Sequence, residues 1–477
     1  MVTSEGVVSD LVAIIGKESV SGDIFNRVTY GQDAFGPDLE KEKVPIAVVR
    51  PESAQQVSKL LVYANKHKIP VYVRGSGTAF KGSSRPKREG SIILSMEKFT
   101  SFEMHENDMY FEVGAGVVQL DLEQKLAERG YMLPLNVGSK FSGTIGGAVA
   151  INTIGHMVDT CIGKTIDYVM GVEAVLPTGE IVETGTKSIR RPAGIDLTRF
   201  FAATEGVFGV ITRIRMRLLP DPKKAYVVGF FKELEDIARA FIRIYEEKLP
   251  PPLYGELLSE EACVAPFRLR KLGKPKGSMA LATTIGHTQE DADRQAEDIA
   301  RVFKVEKAIE AHVVTDAKEK EALWASRDNI MNILGVEEGE EKLLLGGVVE
   351  CPVPLHALPD LIKYFRTGHK HSILHEAKLL IYGHVGAADL HAMWGVPASW
   401  PPEKRRQSAI EASQVEREVY LKWGSTAGEV GQTALRMACW REMYGEAAYS
   451  MLLNIKKAVD PNGILNPGNL LEDEGKG

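Results

Sequence analysis

Cysteine is nearly missing from this chain. Four occur, Cys161, Cys263, Cys351 and Cys439, far apart and without C-x-x-C spacing. That argues against a disulfide framework and against an iron–sulfur cluster ligated by this chain alone. Long apolar runs are missing too, since no stretch approaches the roughly 18–20 residues of a membrane span. The N-terminal stretch MVTSEGVVSDLVAIIGKE mixes acidic residues into a short apolar run and reads as an amphipathic helix, not a signal peptide. Basic residues are in slight deficit, 58 against 64 acidic, for a net charge of −6. Neither nucleic acid nor anionic membrane is implied as a partner. A cytoplasmic location is the expectation.

What is present is an ordinary globular composition, 44% hydrophobic and 26% charged, over 477 residues. That length asks for two domains or more. Glycine supplies the informative pattern. PLNVGSKFSGTIGGAVAINTIG, from Pro134 to Gly155, sets Gly138, Ser142, Gly143, Thr144, Gly146, Gly147 and Asn152 in a small, apolar run. A glycine pair there marks backbone that something must approach closely. An earlier loop, Arg74-Gly75-Ser76-Gly77-Thr78, follows the strand-like run Ile69 to Val73. A Rossmann unit has a single G-x-G-x-x-G on one strand–helix turn. Two separate loops suit a long ligand gripped from both sides, such as a dinucleotide around its pyrophosphate. The plainer alternative is that these glycines only shape tight turns.

Further elements read as follows. Ile46 to Val49 is strand-like. Ser53 is placed to cap a helix through Asn65. Gln119 to Arg129 is an amphipathic helix ended by Gly130. Pro220-Asp221-Pro222 reads as a boundary. Beyond it, helices are expected over Leu234 to Glu247 and Gln289 to Phe303. Strands are expected at Ala280 to Ile285, Leu343 to Val349 and Leu379 to Tyr382. Glu442 to Val459 is helical and leads into the turn Asp460-Pro461-Asn462-Gly463.

Five ordered segments carry a resemblance: IAVVRPESAQQVSKLLVYANKHKIPVYVRGSGTAFKGSS, GTIGGAVAINTIG, GKTIDYVMGVEAVLPTGEIV, TEGVFGVITRIRMRLLP and AVDPNGILNPGN. Together they resemble the FAD-linked oxidases of the vanillyl-alcohol-oxidase superfamily. The similarity is greatest to the branch of D-lactate dehydrogenase, D-2-hydroxyglutarate dehydrogenase and the glycolate oxidase flavin subunit. The resemblance implies an α+β fold. A PCMH-type FAD-binding domain of two subdomains would span 1–222, with its core at about 44–222. A cap domain with an antiparallel sheet would span 223–425, and 426–477 would return to the flavin domain. Arg74 to Thr78, Gly82 and Ser83 would embrace the pyrophosphate, with Lys81 near them. Thr144 to Gly147 and Asn152 would line the flavin, and Asp167 follows them. Glu205 to Gly209, Val210 and Ile211 would cover the adenosine half. Asn466 would come back to the isoalloxazine. The first loop has no histidine, which implies FAD held non-covalently, with attachment through the cap left open.

His384 and His391, seven residues apart around Gly383 to Leu390, are candidates for a divalent metal site (Zn, Fe or Mn) with Glu429. The alternative is two hydrogen-bonded or surface histidines. The resemblance favours a metal that holds a substrate's hydroxyl and carboxylate, and it matches Arg327 to a carboxylate-binding arginine. The departures are specific. Val430 stands where the family has its proposed general-base histidine, and valine cannot take a proton. Ala387, Ala388 and Asp389 replace Asp-Gly-Asn. Met331, Met393 and Gly346 stand where polar groups are expected. The substrate is therefore expected to be a hydroxyl-bearing acid more apolar than lactate, with Met331, Met393, Val430 and Trp394 suiting its bulk. His369, His371 or His375 are substitutes for the lost base. Electrons would pass to a separate iron–sulfur protein, electron-transfer flavoprotein or quinone, and a homodimer stays open. The competing readings are a non-catalytic electron-relay FAD subunit and an oxidase using O₂.

Overall fold

The computed structural model describes residues 4–34, 43–79, 82–153, 155, 163–190, 194–328, 330, 337–338, 341–424 and 434–471. The chain divides into two compact units. One comprises Met1–Thr153, Lys164–Asp221 and Glu429–Gly477, the other Ile154–Gly163 and Pro222–Gly428.

The first unit contains two main sheets. A four-stranded sheet runs in the order Val20–Ser21, Ala47–Val49, Ile92–Ser95, Val71–Arg74. Its last three strands are parallel, and the fully buried Ala47–Val49 and Ile92–Ser95 show the continuous apolar character that parallel strands need. Ser53 caps the helix Ala54–His67, its side chain accepting from Gln56 N–H at 3.3 Å. Leu60, Leu61 and Ala64 form that helix's buried stripe. An antiparallel five-stranded sheet follows, in the order Phe102–His105, Tyr110–Gly114, Val210–Arg217, Val169–Val175, Ile181–Glu183. The helix Gln119–Ala127 stops three residues before Gly130, whose φ of 78° reverses the chain. Pro220 does not interrupt structure as its chemistry suggested. It ends a two-residue strand against Tyr131–Met132, where no ladder N–H is required of it, and the next strand begins at Lys223.

The second unit is built on one antiparallel sheet of eight strands. Their order is Glu310–Val313, Lys223–Phe231, Ser278–Gly286, Tyr254–Leu258, Lys378–His384, Asp389–Pro397, Glu341–Pro352, Glu337–Glu338. The helix Leu234–Glu246 contributes Ile237, Phe241 and Ile244 at helical spacing, and Gln289–Val305 contributes Ala292, Ala296, Ile299 and Phe303. With helices Leu358–Lys363 and Pro402–Trp423 they cover one sheet face, packing on Val227, Leu257, Ile381, Ala392 and Trp394. The opposite face holds a second core around Val228, Leu258, Leu281, Leu380, Tyr382 and Met393. Side chains alternate along each strand, so register alone decides which residues meet on which face. No helix among the described residues is long and apolar enough to cross a membrane.

Candidate active site

In the first unit the strand Val71–Arg74 delivers the first glycine loop. Among the described residues, the N–H groups of Gly75, Ser76, Gly77 and Thr78 have no hydrogen-bond partner. The Ser76 hydroxyl is buried and also has none. Four consecutive donors beside a hydroxyl suit the oxygens of a pyrophosphate. The second loop lies against the first, since a Cβ on Gly75 would sit 2.4 Å from Thr144 Oγ1. The two glycine loops thus converge on one place. Their N–H groups serve different ends. Ile145 and Gly146 donate to Val117 O and Ala115 O at 2.9 and 2.8 Å, and Gly147 donates to Thr144 Oγ1 at 3.3 Å. Gly146 is glycine because a Cβ would lie 2.6 Å from that of Ala115. The second loop offers close approach, and the first offers donors.

Two side chains named for the flavin site are engaged by backbone groups. The Arg74 guanidinium turns back, with Nη1 donating to Tyr30 O at 3.1 Å and to Gln32 O, and Nη2 to Ser76 O at 3.2 Å. It pins backbone carbonyls, and burial lowers its pKa. Asn466 returns to the flavin-binding unit, but its amide is committed to backbone. Oδ1 accepts from Val73 N–H at 2.8 Å, and Nδ2 donates to Glu205 O at 2.7 Å.

The remaining positions scatter around this centre. Asn152 ends the helix Ile145–Ile151 with φ 51° and accepts from Ile166 N–H at 3.2 Å. Asp167 accepts from Lys164 N–H and Arg199 Nη2 at 3.0 and 2.7 Å. Glu205 is buried with φ 51°, and its N–H donates to Ala150 O at 2.9 Å. Gly209 packs against Phe201, while Val210 and Ile211 pair with Val175 and Ala174. Ser83 O accepts from Asn469 Nδ2 at 2.5 Å, beside Gly82 at φ 78°. Pro134 and Gly143 are buried, and Gly138 and Ser142 are exposed. Gly155 is buried and groups with the second unit. Lys81, Met331, Glu429 and Val430 lie outside the described residues.

In the second unit, cross-strand register sets the chemistry. Tyr382 is opposite His391, His384 opposite Asp389, Leu380 opposite Met393, and Glu350 opposite His391. All share one face with Glu256, because its neighbour Leu258 pairs with Tyr382. His384 and His391 are buried, with ring centroids 5.4 Å apart and planes nearly perpendicular. His384 Nδ1 lies 2.6 Å from Glu256 Oε1, and Arg327 Nε donates to Glu256 Oε2 at 2.6 Å. An ionised carboxylate only accepts, so a neutral His384 carries its hydrogen on Nδ1 and its lone pair on Nε2. That is the tautomer a metal ligand backed by a carboxylate requires. The Arg327 guanidinium lies 5.4 Å over the Tyr382 ring, which in turn sits 5.1 Å from His391. Arg327, Glu256, His384, His391 and Tyr382 therefore close a ring of contacts. Sequence reasoning missed Glu256, because a lone carboxylate in a strand-like run carries no spacing signal.

The other expected pocket residues fall elsewhere. Trp394 occupies the opposite, helix-covered face, packed edge-on against Phe365 and His369. His369 and His375 stack at 4.3 Å on that side, and His371 Nε2 meets Glu418 Oε1 at 3.1 Å. The structure does not bring His371 or His375 to His384 and His391, because the sheet separates them. Gly346 is the extra residue of a bulge, where a Cβ would lie 2.3 Å from Val396 Cγ1 and 2.9 Å from Ser408 Oγ. Its side faces the helix Pro402–Trp423, so its identity says nothing about a lost clamp. Met393 does lie on the histidine face. One three-ligand grouping occurs among the described residues, Glu103, His105 and Glu112. Arg215 holds Glu112 at 2.6 Å there, and His105 stacks on Tyr110.

A PCMH-type α+β fold, with two converging glycine loops in one unit and a buried Arg–Glu–His face in the other, defines an FAD-linked oxidoreductase. The chain belongs to the FAD-linked oxidases. The family model of the FAD linked oxidases' C-terminal domain matches residues 221–470, and that of an FAD binding domain matches 45–185. The chain is 26% identical to a Bacillus subtilis protein named glycolate oxidase subunit GlcD, covering 100% of this chain and 98% of that one. It is 28% identical to an Archaeoglobus fulgidus D-lactate dehydrogenase, over 89% and 91% of the two chains. Among solved structures it resembles p-cresol methylhydroxylase with TM-score 0.78 at 18% identity, covering 99% and 98%. 4-Ethylphenol oxidase from Gulosibacter chungangensis gives 0.76 at 19%, covering 98% and 97%. At these identities the structural likeness concerns the fold alone.

Proposed function

We propose that the chain is an FAD-dependent dehydrogenase oxidising a 2-hydroxy acid more apolar than lactate. The observation that carries this is the buried face joining Arg327, Glu256, His384 and His391. A guanidinium suits the substrate's carboxylate, and two imidazoles suit a divalent ion beside its hydroxyl. The relatives named D-lactate dehydrogenase and glycolate oxidase subunit support the substrate class. Met393, with Leu380 and Val348 in the same apolar cluster, supports an apolar substituent. FAD, when bound, would supply the hydride acceptor for oxidation of a 2-hydroxy acid to a 2-oxo acid.

On this reading FAD is held non-covalently, chiefly through the first-loop N–H groups and the Ser76 hydroxyl. His384 and His391 would offer two imidazoles to a Zn, Fe or Mn ion, and Glu429, the third ligand expected from the sequence, lies outside the described residues. Electrons leave for a separate iron–sulfur or electron-transfer flavoprotein partner in the cytoplasm; the name of the GlcD relative, a subunit, supports a partner protein and no more.

The test is anaerobic mixing of the purified, metal-analysed flavoprotein with a panel of 2-hydroxy acids, following the flavin absorbance. Longer aliphatic 2-hydroxy acids should bleach the flavin faster than D-lactate, glycolate or D-2-hydroxyglutarate. General base catalysis is worth about 10²–10⁴ in rate, and by the resemblance Val430 stands where the family has its proposed general-base histidine. D-Lactate reducing the flavin at about 1–10³ s⁻¹ would refute the apolar preference. No bleaching by any member of the panel would refute the substrate class and favour an electron-relay subunit.

A further inference from the structure

We propose that Glu256 is a positioning residue for His384, and that Arg327 holds Glu256 in place to do it. The inference rests on the reading of His384 as a metal ligand. Glu256 sits mid-strand in Tyr254–Leu258 and is 2% exposed. A carboxylate so buried needs a counter-charge and donors to replace water. Arg327, itself 6% exposed, supplies the charge through Nε at 2.6 Å, and His384 meets the other oxygen at 2.6 Å. Both carboxylate oxygens are thereby engaged, one by each partner.

The consequence for His384 is directional. Its ring cannot rotate without losing Glu256, and its hydrogen stays on Nδ1. The His391 ring lies 5.4 Å from that of His384 and nearly perpendicular to it. Glutamine at 256 keeps the shape but offers one acceptor where two N–H groups arrive. The guanidinium, being charged, takes that oxygen. The amide NH₂ then faces Nδ1 and drives the imidazole hydrogen to Nε2, where it blocks coordination. Aspartate keeps the charge but withdraws the carboxylate by one methylene, too far to hold both partners at once.

The experiment titrates Zn²⁺ into chelator-treated flavoprotein for the parent, Glu256→Gln, Glu256→Asp and His384→Ala. Melting temperature, bound flavin and the visible spectrum of the Co²⁺-loaded protein are recorded in parallel. Removing a carboxylate behind a ligating histidine lowers metal affinity about 10–100-fold. Glu256→Gln should show that loss and an altered Co²⁺ spectrum while keeping its flavin. Should Glu256→Gln fail to fold, Glu256→Asp retains the buried charge balance and should show the same loss of Zn²⁺ affinity. A folded Glu256→Gln or Glu256→Asp with parental Zn²⁺ affinity and Co²⁺ spectrum would overturn the inference. Parental Zn²⁺ affinity in His384→Ala would instead overturn the metal reading beneath it.

Discussion

His369 is a histidine whose ionisation is strongly displaced by its surroundings. It is buried beneath Trp394, stacked on His375, and its Nδ1 accepts from His371 N–H at 3.3 Å. Burial first, then the neighbouring His375 and His371, lower its pKa from 6.5 to about 4, against a small opposing pull from the Phe365 backbone and Glu418. The unfolded chain therefore binds a proton between those two values that the folded chain does not. Stability conferred by neutral His369 is complete above about pH 6.5 and drains away as the pH falls toward 4. Melting temperatures at pH 7.5 and pH 5 should show a larger drop for the parent than for His369→Phe, which keeps the ring stack without the titration. Equal drops would mean that the acid sensitivity lies elsewhere. The same residue shows why a histidine-rich stretch is a poor guide to catalysis. His369, His371 and His375 are consumed by one another, by Trp394 and by Glu418.

At the scale of elements, the flavin site depends on how closely one loop meets one helix start. Thr144 is the N-cap of the helix Ile145–Ile151 and also the atom against which Gly75 abuts. Gly75→Ala places a methyl 2.4 Å from Thr144 Oγ1, so the first loop must move or the cap must break. Overpacking of this kind costs about 1–3 kcal/mol, and the shifted N–H row should weaken FAD at least about tenfold, the equivalent of 1.4 kcal/mol. Removing the obstructing hydroxyl in Gly75→Ala/Thr144→Ala should restore part of the flavin content, at a cap cost of about 1 kcal/mol. Flavin-to-protein absorbance ratios measure both variants. Undiminished flavin in the single variant would show that the two loops do not act together.

What was legible in the sequence follows the same division. Ser53, Gly130, the helix stripes and the paired glycine loops are local signals, written within one or two turns of chain, and they are found in place. Which face of a sheet a residue occupies is not local. A single bulge between Leu345 and Gly347 turns Gly346 toward a helix, and alternation sends Trp394 away from Met393 although they are adjacent. Glu256 and His384 are 128 residues apart and meet only because their strands are neighbours. No spacing rule reaches that far. The resemblance could transfer ligand types to positions, but it could not say that Arg74 and Asn466 spend their side chains on backbone carbonyls and amides.

The whole molecule depends on the return of its C-terminal segment. Leu465 forms a parallel bridge with Val71, and Asn466 N–H donates to Val71 O at 2.8 Å. Tyr72 OH donates to Pro467 O at 2.9 Å, and Lys87 Nζ to Gly468 O at 2.8 Å. Lys456 Nζ fastens the preceding helix, donating to Val207 O, Leu465 O and Asp460 Oδ2 at 2.7, 2.9 and 2.6 Å. The strand that delivers the first glycine loop is thus held from the far end of the chain. Asn466→Ala removes the acceptor of the Val73 N–H and should destabilise by about 1–3 kcal/mol, with FAD still bound. A chain ended at Asp460 loses the bridge, both Asn466 amide bonds and the Lys87 contact together, and should lose FAD as well. The readout is thermal stability with and without added FAD. Ligand at 100 times its Kd raises the parent's stability by about 2.7 kcal/mol. That increment should persist in Asn466→Ala and vanish in the shortened chain. A shortened chain that still gains stability from FAD would show that the returning segment is packing around the site and not part of what shapes it.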